Sequence, residues 1–242
     1  MSAPERISRR EALALIWFPF FPARHIALAG ARYRILRNGH SRRRYLLIHG
    51  DEASARSVLA GYMQTHDGIA YLAENHTREV VVEGLKIDPN RWFSRVGAEA
   101  SLRKLNAGPD PAQVQRALAA IDRGRERLVR AFTPPRGGVL VALHNNSSSY
   151  SVEAEAPISD RTSLKEPDNP HAFFLCTDPK DFAVLAASPY NVVLQQKAPP
   201  SDDGSLSRLA AARGFRYVNL EVRLGHPERQ REMLWWLDWN LK

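Results

Sequence analysis

Short apolar runs alternate with helix-like stretches along most of the chain after residue 44, and that alternation is the strongest constraint on its fold. The runs are 45–49 (YLLIH), 69–73 (IAYLA), 139–144 (VLVALH), 173–177 (FFLCT), 192–195 (VVLQ) and 217–222 (YVNLEV). Each is short, bounded by turn residues and rich in β-branched or aromatic side chains, so each reads as a strand. Between them, 53–65, 112–131, 181–187, 205–213 and 227–241 read as helices. Asp110 and Pro111 form a helix start, with Asp as cap and Pro at the first position. Gly214 stands where a helix C-terminal glycine belongs. Strands of nearly continuous apolar character, interleaved with helices, predict an α/β fold. The expected form is one domain with a mixed, mostly parallel sheet flanked by helices on both faces. The segments 132–138 and 198–204 read as loops inside that domain.

The chain has 242 residues and a net charge of +8, from 34 Lys and Arg against 26 Asp and Glu. A basic balance fits nucleic acid, an anionic surface or an acidic small substrate. The arginines are scattered, with one run at Arg42, Arg43 and Arg44, and no nucleic-acid-binding motif accompanies them. No nucleic-acid partner is therefore expected. The single cysteine, Cys176, cannot form an internal disulfide and reads as a core residue.

Residues 1–31 have the order of a bacterial export signal: paired Arg9 and Arg10, an apolar run from 12 to 21, then Ala27, Ala29 and Ala31. Ser8-Arg9-Arg10 with Leu13 resembles the twin-arginine type. The expectation is a leader over 1–31, a mature domain over 32–242, and a periplasmic or secreted protein. The alternative is a cytoplasmic protein whose apolar N-terminal arm packs on the core. No transmembrane segment is expected in the mature chain.

In open α/β sheets, ligands bind at the carboxyl ends of strands. His49 closes the first run and Glu52 follows three residues later; His144 closes the third, and Glu221 lies near the end of the last. Two histidines and a carboxylate are the protein ligands of one kind of catalytic zinc site. A further carboxylate would carry the proton. Each residue taken singly is equally a satisfied polar group at a strand end, so their joint placement carries the reading.

One more motif, in "LKIDPNRWFSR" (85–95), makes the pattern specific. The order His-x-x-Glu, Asp-x-Asn-Arg, a strand-final His and a strand Glu resembles the zinc carboxypeptidase superfamily. Within it, the succinylglutamate desuccinylase/aspartoacylase branch is nearest. The resemblance spans roughly 45–233. It implies Zn²⁺ held by His49, Glu52 and His144, with Glu221 as general base. It implies that Asn90 and Arg91 hold the substrate carboxylate and that Arg78 polarises the scissile carbonyl. A tyrosine closing over substrate would be Tyr190 or Tyr150. Asn145 and Asn146 line the pocket or satisfy a turn, and Asp51 orients a ligand histidine or caps the next helix.

The implied activity is cleavage of an amide or peptide bond beside a free carboxylate, in a small peptide such as a peptidoglycan stem peptide. The alternatives are deacylation of an N-acyl amino acid and a non-catalytic basic binding protein on the same fold.

Overall fold

Strand β3 (Arg44–Leu47) shows why this chain needs two helical layers. In the computed structural model, which describes residues 24–147, 150–197 and 201–242, every residue from Tyr45 to Ile48 is buried. Side chains alternate across a strand, so both sheet faces must be covered. Leu46 and Ile48 join one apolar cluster with helices α2 (Arg95–Leu105), α3 (Pro111–Phe132) and α6 (Leu206–Arg213). Tyr45 and Leu47 join the other, with α1 (Ala53–Tyr62), α5 (Pro179–Leu185) and α7 (Pro227–Asn240).

Four parallel neighbours form the middle of the sheet: β4 (Gly68–Ala73), β3, β7 (Leu140–Asn146) and β11 (Tyr217–Arg223). Antiparallel pairs flank them. On one side, β2 (Ala31–Asn38) pairs with β4, and β1 (Arg24–Leu28) with β2. On the other, β9 (Phe173–Cys176) runs antiparallel to β11 and parallel to β10 (Asn191–Leu194). The short β8 (Arg161–Ser163) closes that edge antiparallel to β10. The full order is β1-β2-β4-β3-β7-β11-β9-β10-β8. The expected architecture is therefore the observed one, parallel at its centre and antiparallel toward both edges.

Both expected helix signals are in place. The Asp110 carboxylate accepts from the backbone N–H groups of Ala112 and Gln113 at 3.2 Å, starting α3. Gly214 ends α6 in the left-handed region at φ +67°. Three pieces escaped the periodicity. The hairpin of β5 (Val80–Val82) and β6 (Leu85–Ile87) has strands of three residues. Helix α2 turns Gly97, Ala98, Ser101 and Leu102 inward, a stripe of mostly small side chains. That smallness is enforced, because a Cβ on Gly97 would stand 2.3 Å from the Gly204 Cα.

The third piece is the first hairpin of the sheet. Residues 24–31 form β1 and the turn into β2, with Leu28 and Ala31 buried in the core. Arg127 of α3 donates to the Ala27 carbonyl at 2.9 Å, and the Leu28 side chain fills the space above Gly124. Strand β1 thus lies inside the segment 1–31 expected as a leader. The leader-like residues 1–23, including Trp17, Phe18 and Phe20, lie outside the described residues. Among the described residues, no helix is long and apolar enough to cross a membrane.

Candidate metal centre and its cavity

The four central parallel strands deliver their carboxyl ends to one edge, and the candidate residues collect there. Beyond β3, the chain turns through His49 and Gly50 into α1, with Glu52 immediately before the helix. Gly50 donates to the Thr77 carbonyl at 3.1 Å, and a Cβ there would meet the Asn75 oxygen at 2.1 Å. Glycine at this position lets the loop after β4, which carries Arg78, close against the His49 turn.

His49 Nδ1 lies 2.8 Å from Glu52 Oε1, and His144 Nδ1 lies 3.2 Å from the same oxygen. The two imidazole rings are 5.2 Å apart. His49, Glu52 and His144 are each no more than 3% exposed, and their ligand atoms all fall within 4.8 Å of one another. Glu52 Oε2 is buried and accepts no hydrogen bond. A buried carboxylate oxygen without a donor beside two imidazole nitrogens suits a divalent cation, and this donor set is one that zinc takes.

His49 Nε2 faces Asp88 Oδ1 at 2.9 Å. That contact orients the ring so that Nδ1 points into the cluster, the arrangement that fixes a metal-ligating histidine. Asp88 also accepts from the Asn90 backbone N–H at 2.8 Å, which starts the short 3₁₀ turn Pro89–Arg91. The electrostatics of the metal-free cluster follow from burial and pairing. Burial lowers the His49 pKa, but Glu52 and Asp88 outweigh it and raise the group to about 9. Burial raises Glu52, but His144 and His49 outweigh it and bring the carboxyl down to about 2.

Glu221 pairs in register with His144 across β7 and β11, so both face the same side of the sheet. Its carboxylate is held at both oxygens, by Asn219 Nδ2 at 3.0 Å and Asn146 Nδ2 at 3.2 Å. Burial, with Glu52 nearby, raises its pKa above the ordinary range, against the lowering pull of His144. Arg78 approaches the same centre from the β4 loop, 3.8 Å from Glu52 Oε1 and 3.5 Å from Asp88 Oδ2. Arg91 lies 3.3 Å from Asp203 Oδ2 and donates to the Asn90 carbonyl at 3.2 Å. Asn90 Oδ1 accepts from the Leu206 N–H at 3.1 Å, fastening the first turn of α6 to this wall. His49, Glu52, Arg78, Asn90, Arg91, His144 and Glu221 all line one cavity of about 600 Å³.

One expected residue lies away from the cavity. Tyr190 is absent from the cavity wall; its ring is buried between Phe174 and Trp236, under the Arg229 guanidinium. Asn145 reaches the cavity wall, but its side chain is spent on structure. It accepts from the Ala55 N–H at 3.0 Å and donates to Gln230 Oε1 at 3.1 Å, tying α1 and α7 to β7. Of the two tyrosines considered, Tyr150 lines the cavity and donates to Glu155 Oε1 at 2.7 Å. Asp51 is exposed on the cavity rim, and the orienting carboxylate is Asp88 instead. Asp88 lies inside the Asp-x-Asn-Arg motif, and that position was the available signal.

No protein-family model matches the chain, and no curated protein matches it. Solved structures do. A succinylglutamate desuccinylase/aspartoacylase from Rhodobacter sphaeroides aligns at 13% identity with a TM-score of 0.41, over 87% of this chain and 59% of its own. The chain thus spans about three-fifths of that protein's length. A candidate metallopeptidase from Shewanella amazonensis aligns at 9% identity and a TM-score of 0.37, over 90% of this chain and 86% of its own. Another from Shewanella denitrificans aligns at 9% identity and a TM-score of 0.39, over 90% and 84%. What the site can do follows from its own side chains: a buried His-Glu-His cluster suited to a metal, with a second carboxylate and two arginines around it.

Proposed function

We propose that this protein is a zinc-dependent hydrolase that cuts an amide or peptide bond next to a free carboxylate. The observation that carries the reading is the convergence of His49, Glu52 and His144 within 4.8 Å, with Glu221 on the adjoining strand. His49, Glu52 and His144 would hold the zinc. When bound, zinc acidifies water and polarises a carbonyl, which makes hydrolysis accessible near neutral pH.

Glu221 takes the proton from the attacking water and returns it to the leaving nitrogen. A carboxyl raised above its ordinary range by burial is suited to both transfers. The amides of Asn146 and Asn219 keep its two oxygens in place through the exchange. Arg78, half-exposed beside the cluster, supplies positive charge where the carbonyl oxygen becomes negative. Arg91 anchors the substrate carboxylate, which would replace Asp203 as its partner and could engage the guanidinium fork at two points. The substrate class is a short peptide or an N-acyl amino acid.

The test is direct. Protein purified without added chelator should carry about one zinc per chain. It should release a product from C-terminal dipeptides or N-acyl amino acids, and lose that activity when the zinc is stripped. A preparation loaded with zinc that cleaves neither class would leave only the binding-protein alternative.

A further inference from the structure

A second cavity, of about 330 Å³, lies at the amino ends of the parallel strands, away from the cluster at their carboxyl ends. Arg37, His40, Arg42 and Arg44 line it. Arg44 opens β3, whereas His49 follows the far end of that strand. Arg37 pairs with Ile69 across β2 and β4, and Ile69 pairs with Arg44 across β4 and β3. Side chains in register share a sheet face, so Arg37 and Arg44 stand on one face, two strand spacings apart, about 10 Å between backbone positions. Tyr71, two residues along from Ile69, feels both: burial raises its pKa, against the pull of Arg44 and Arg37. The run Arg42–Arg44 is thereby split, because Arg43 turns away and pairs with Asp238 of α7.

Arg42 reaches the cavity from the turn between β2 and β3, and the loop 132–138 leaves room for it. A Cβ on Gly138 would stand 2.2 Å from the Arg42 carbonyl oxygen, and one on Gly137 would stand 3.2 Å from its Nη1. That Nη1 donates to the Arg136 carbonyl at 3.4 Å. Among the described residues, none of Arg37, Arg42 and Arg44 has an ion-pair partner. The Arg44 Nε is buried and has no acceptor. Native proteins rarely leave a buried donor in that condition, so it marks a missing partner. One carboxylate stands beside the cavity. Asp67 accepts from the His40 backbone N–H at 3.3 Å and its oxygens fill the space above Gly39, so it is pinned to backbone and neutralises none of the three guanidinium groups.

We propose that this cavity binds a phosphate group, carried either by a free phosphomonoester or by a lipid headgroup. Three guanidinium groups without counter-charge share one concavity, and an anion completes them. A carboxylate brings two oxygens and one charge. A phosphate monoester brings three acceptor oxygens and nearly two charges, and so can engage Arg37, Arg42 and Arg44 together. The buried Nε–H of Arg44 supplies one donor, and the exposed Arg37 and Arg42 supply the rest. A single concavity, rather than a basic stripe, suits one phosphate group and not a nucleic-acid backbone. The site stands apart from the metal cluster and does not depend on the hydrolase reading.

Calorimetric titration of the zinc-loaded full chain at fixed ionic strength tests this. The probes are inorganic phosphate, glycerol 3-phosphate and acetate. The two phosphates should bind at least tenfold more tightly than acetate. Arg44→Gln should weaken them at least tenfold, and Arg44→Lys, which keeps the charge and loses the fork, should restore part of the loss. Arg91→Ala, in the other cavity, should leave their binding here unchanged. If Arg44→Gln does not fold, the exposed Arg37→Gln and Arg42→Gln decide by the same measure. Sedimentation with phosphatidylcholine vesicles, with and without phosphatidate, identifies the source. Arg44-dependent binding to phosphatidate vesicles assigns a headgroup; Arg44-dependent binding of glycerol 3-phosphate alone assigns a free phosphomonoester. The proposal is overturned if neither the phosphates nor the phosphatidate vesicles bind, or if acetate binds as well as phosphate. It is also overturned if binding is indifferent to Arg44→Gln, and loss in Arg91→Ala instead would place the anion in the main cavity.

Discussion

A single histidine carries much of the site's geometry. His49 stands between two carboxylates, Glu52 at Nδ1 and Asp88 at Nε2. Only one of these belongs to the cluster, so in the proposed site the ring's two nitrogens would have different duties, Nδ1 toward a metal and Nε2 to orientation. In the proposed mechanism Glu221 and Arg91 divide the reaction in a comparable way, and their variants should fail differently. Glu221→Gln keeps the shape and loses the proton acceptor. It should lower kcat by about 10²–10⁴-fold while zinc content stays at the native level. Near-native turnover in that variant would remove Glu221 from the mechanism. Arg91→Ala should raise KM by about tenfold to a hundredfold, the scale of a charge-assisted pair at a partly exposed site. Amidating the substrate carboxylate should slow the native enzyme and have little further effect on Arg91→Ala. An equal penalty in both would show that the carboxylate binds elsewhere, with Arg208, on the wall of the same cavity, the next residue to replace.

At the scale of elements, the site is held by fastenings that are themselves buried and polar. Asn145 joins α1 and α7 to β7, and α1 begins at Glu52. Helix α5 shows the same device away from the cavity. Asp181, 3% exposed, is gripped by Arg216 through Nε at 3.0–3.1 Å and Nη2 at 2.7 Å. Burial still raises its pKa, against the pull of Arg216. Arg216→Ala would leave that carboxylate buried and unpaired, at a cost of about 3 kcal/mol or more. Because the folded pKa then lies further above the unfolded one, the native state binds the proton more tightly. The variant should therefore recover stability as pH falls from neutral toward the ordinary carboxylate range near 4. Denaturant midpoints at pH 7 and pH 5 measure this; a variant that loses nothing at pH 7, or nothing regained at pH 5, refutes it.

The whole chain sets where folding must start. Export with a leader over residues 1–31 remains a proposal, and β1 falls within that segment. A chain beginning at Arg24 should melt cooperatively like the full chain. One beginning at Arg32 forfeits β1 and the burial of Leu28, about 2 kcal/mol for the side chain alone. It should melt lower by circular dichroism; identical melting of the two would show β1 to be dispensable. The β1–β2 hairpin was not legible because Ala27, Ala29 and Ala31 look alike as a cleavage region and as an edge hairpin. The central sheet was legible, since strands buried on both faces are continuously apolar. So were His49, Glu52, His144 and Glu221, polar residues interrupting such runs at their carboxyl ends. The fastening of α1 and α7 by Asn145 was not legible, because it depends on helices distant in sequence. Tyr190 was misread because a phenol serves a core as readily as a lid. Glu155 could not be found at all: its place depends on how α4 (Val152–Glu155) folds over β10, which no local pattern records.

Strand β11 is the last strand in the chain, yet it lies between β7 and β9 in the interior of the sheet. Until roughly residue 223 has been made, the growing protein therefore has two unpaired strands facing a gap. His49, Glu52 and His144 are already present in such a chain, but Glu221 and the β11 side of the cavity are not. A nascent or truncated form would own the candidate metal-ligating side chains without the carboxylate proposed to act beside them. Catalytic competence would appear only with the final insertion, a long-range pairing of the kind that makes folding slow. Premature release anywhere before Tyr217 should yield an inactive protein with exposed strand edges, prone to aggregate.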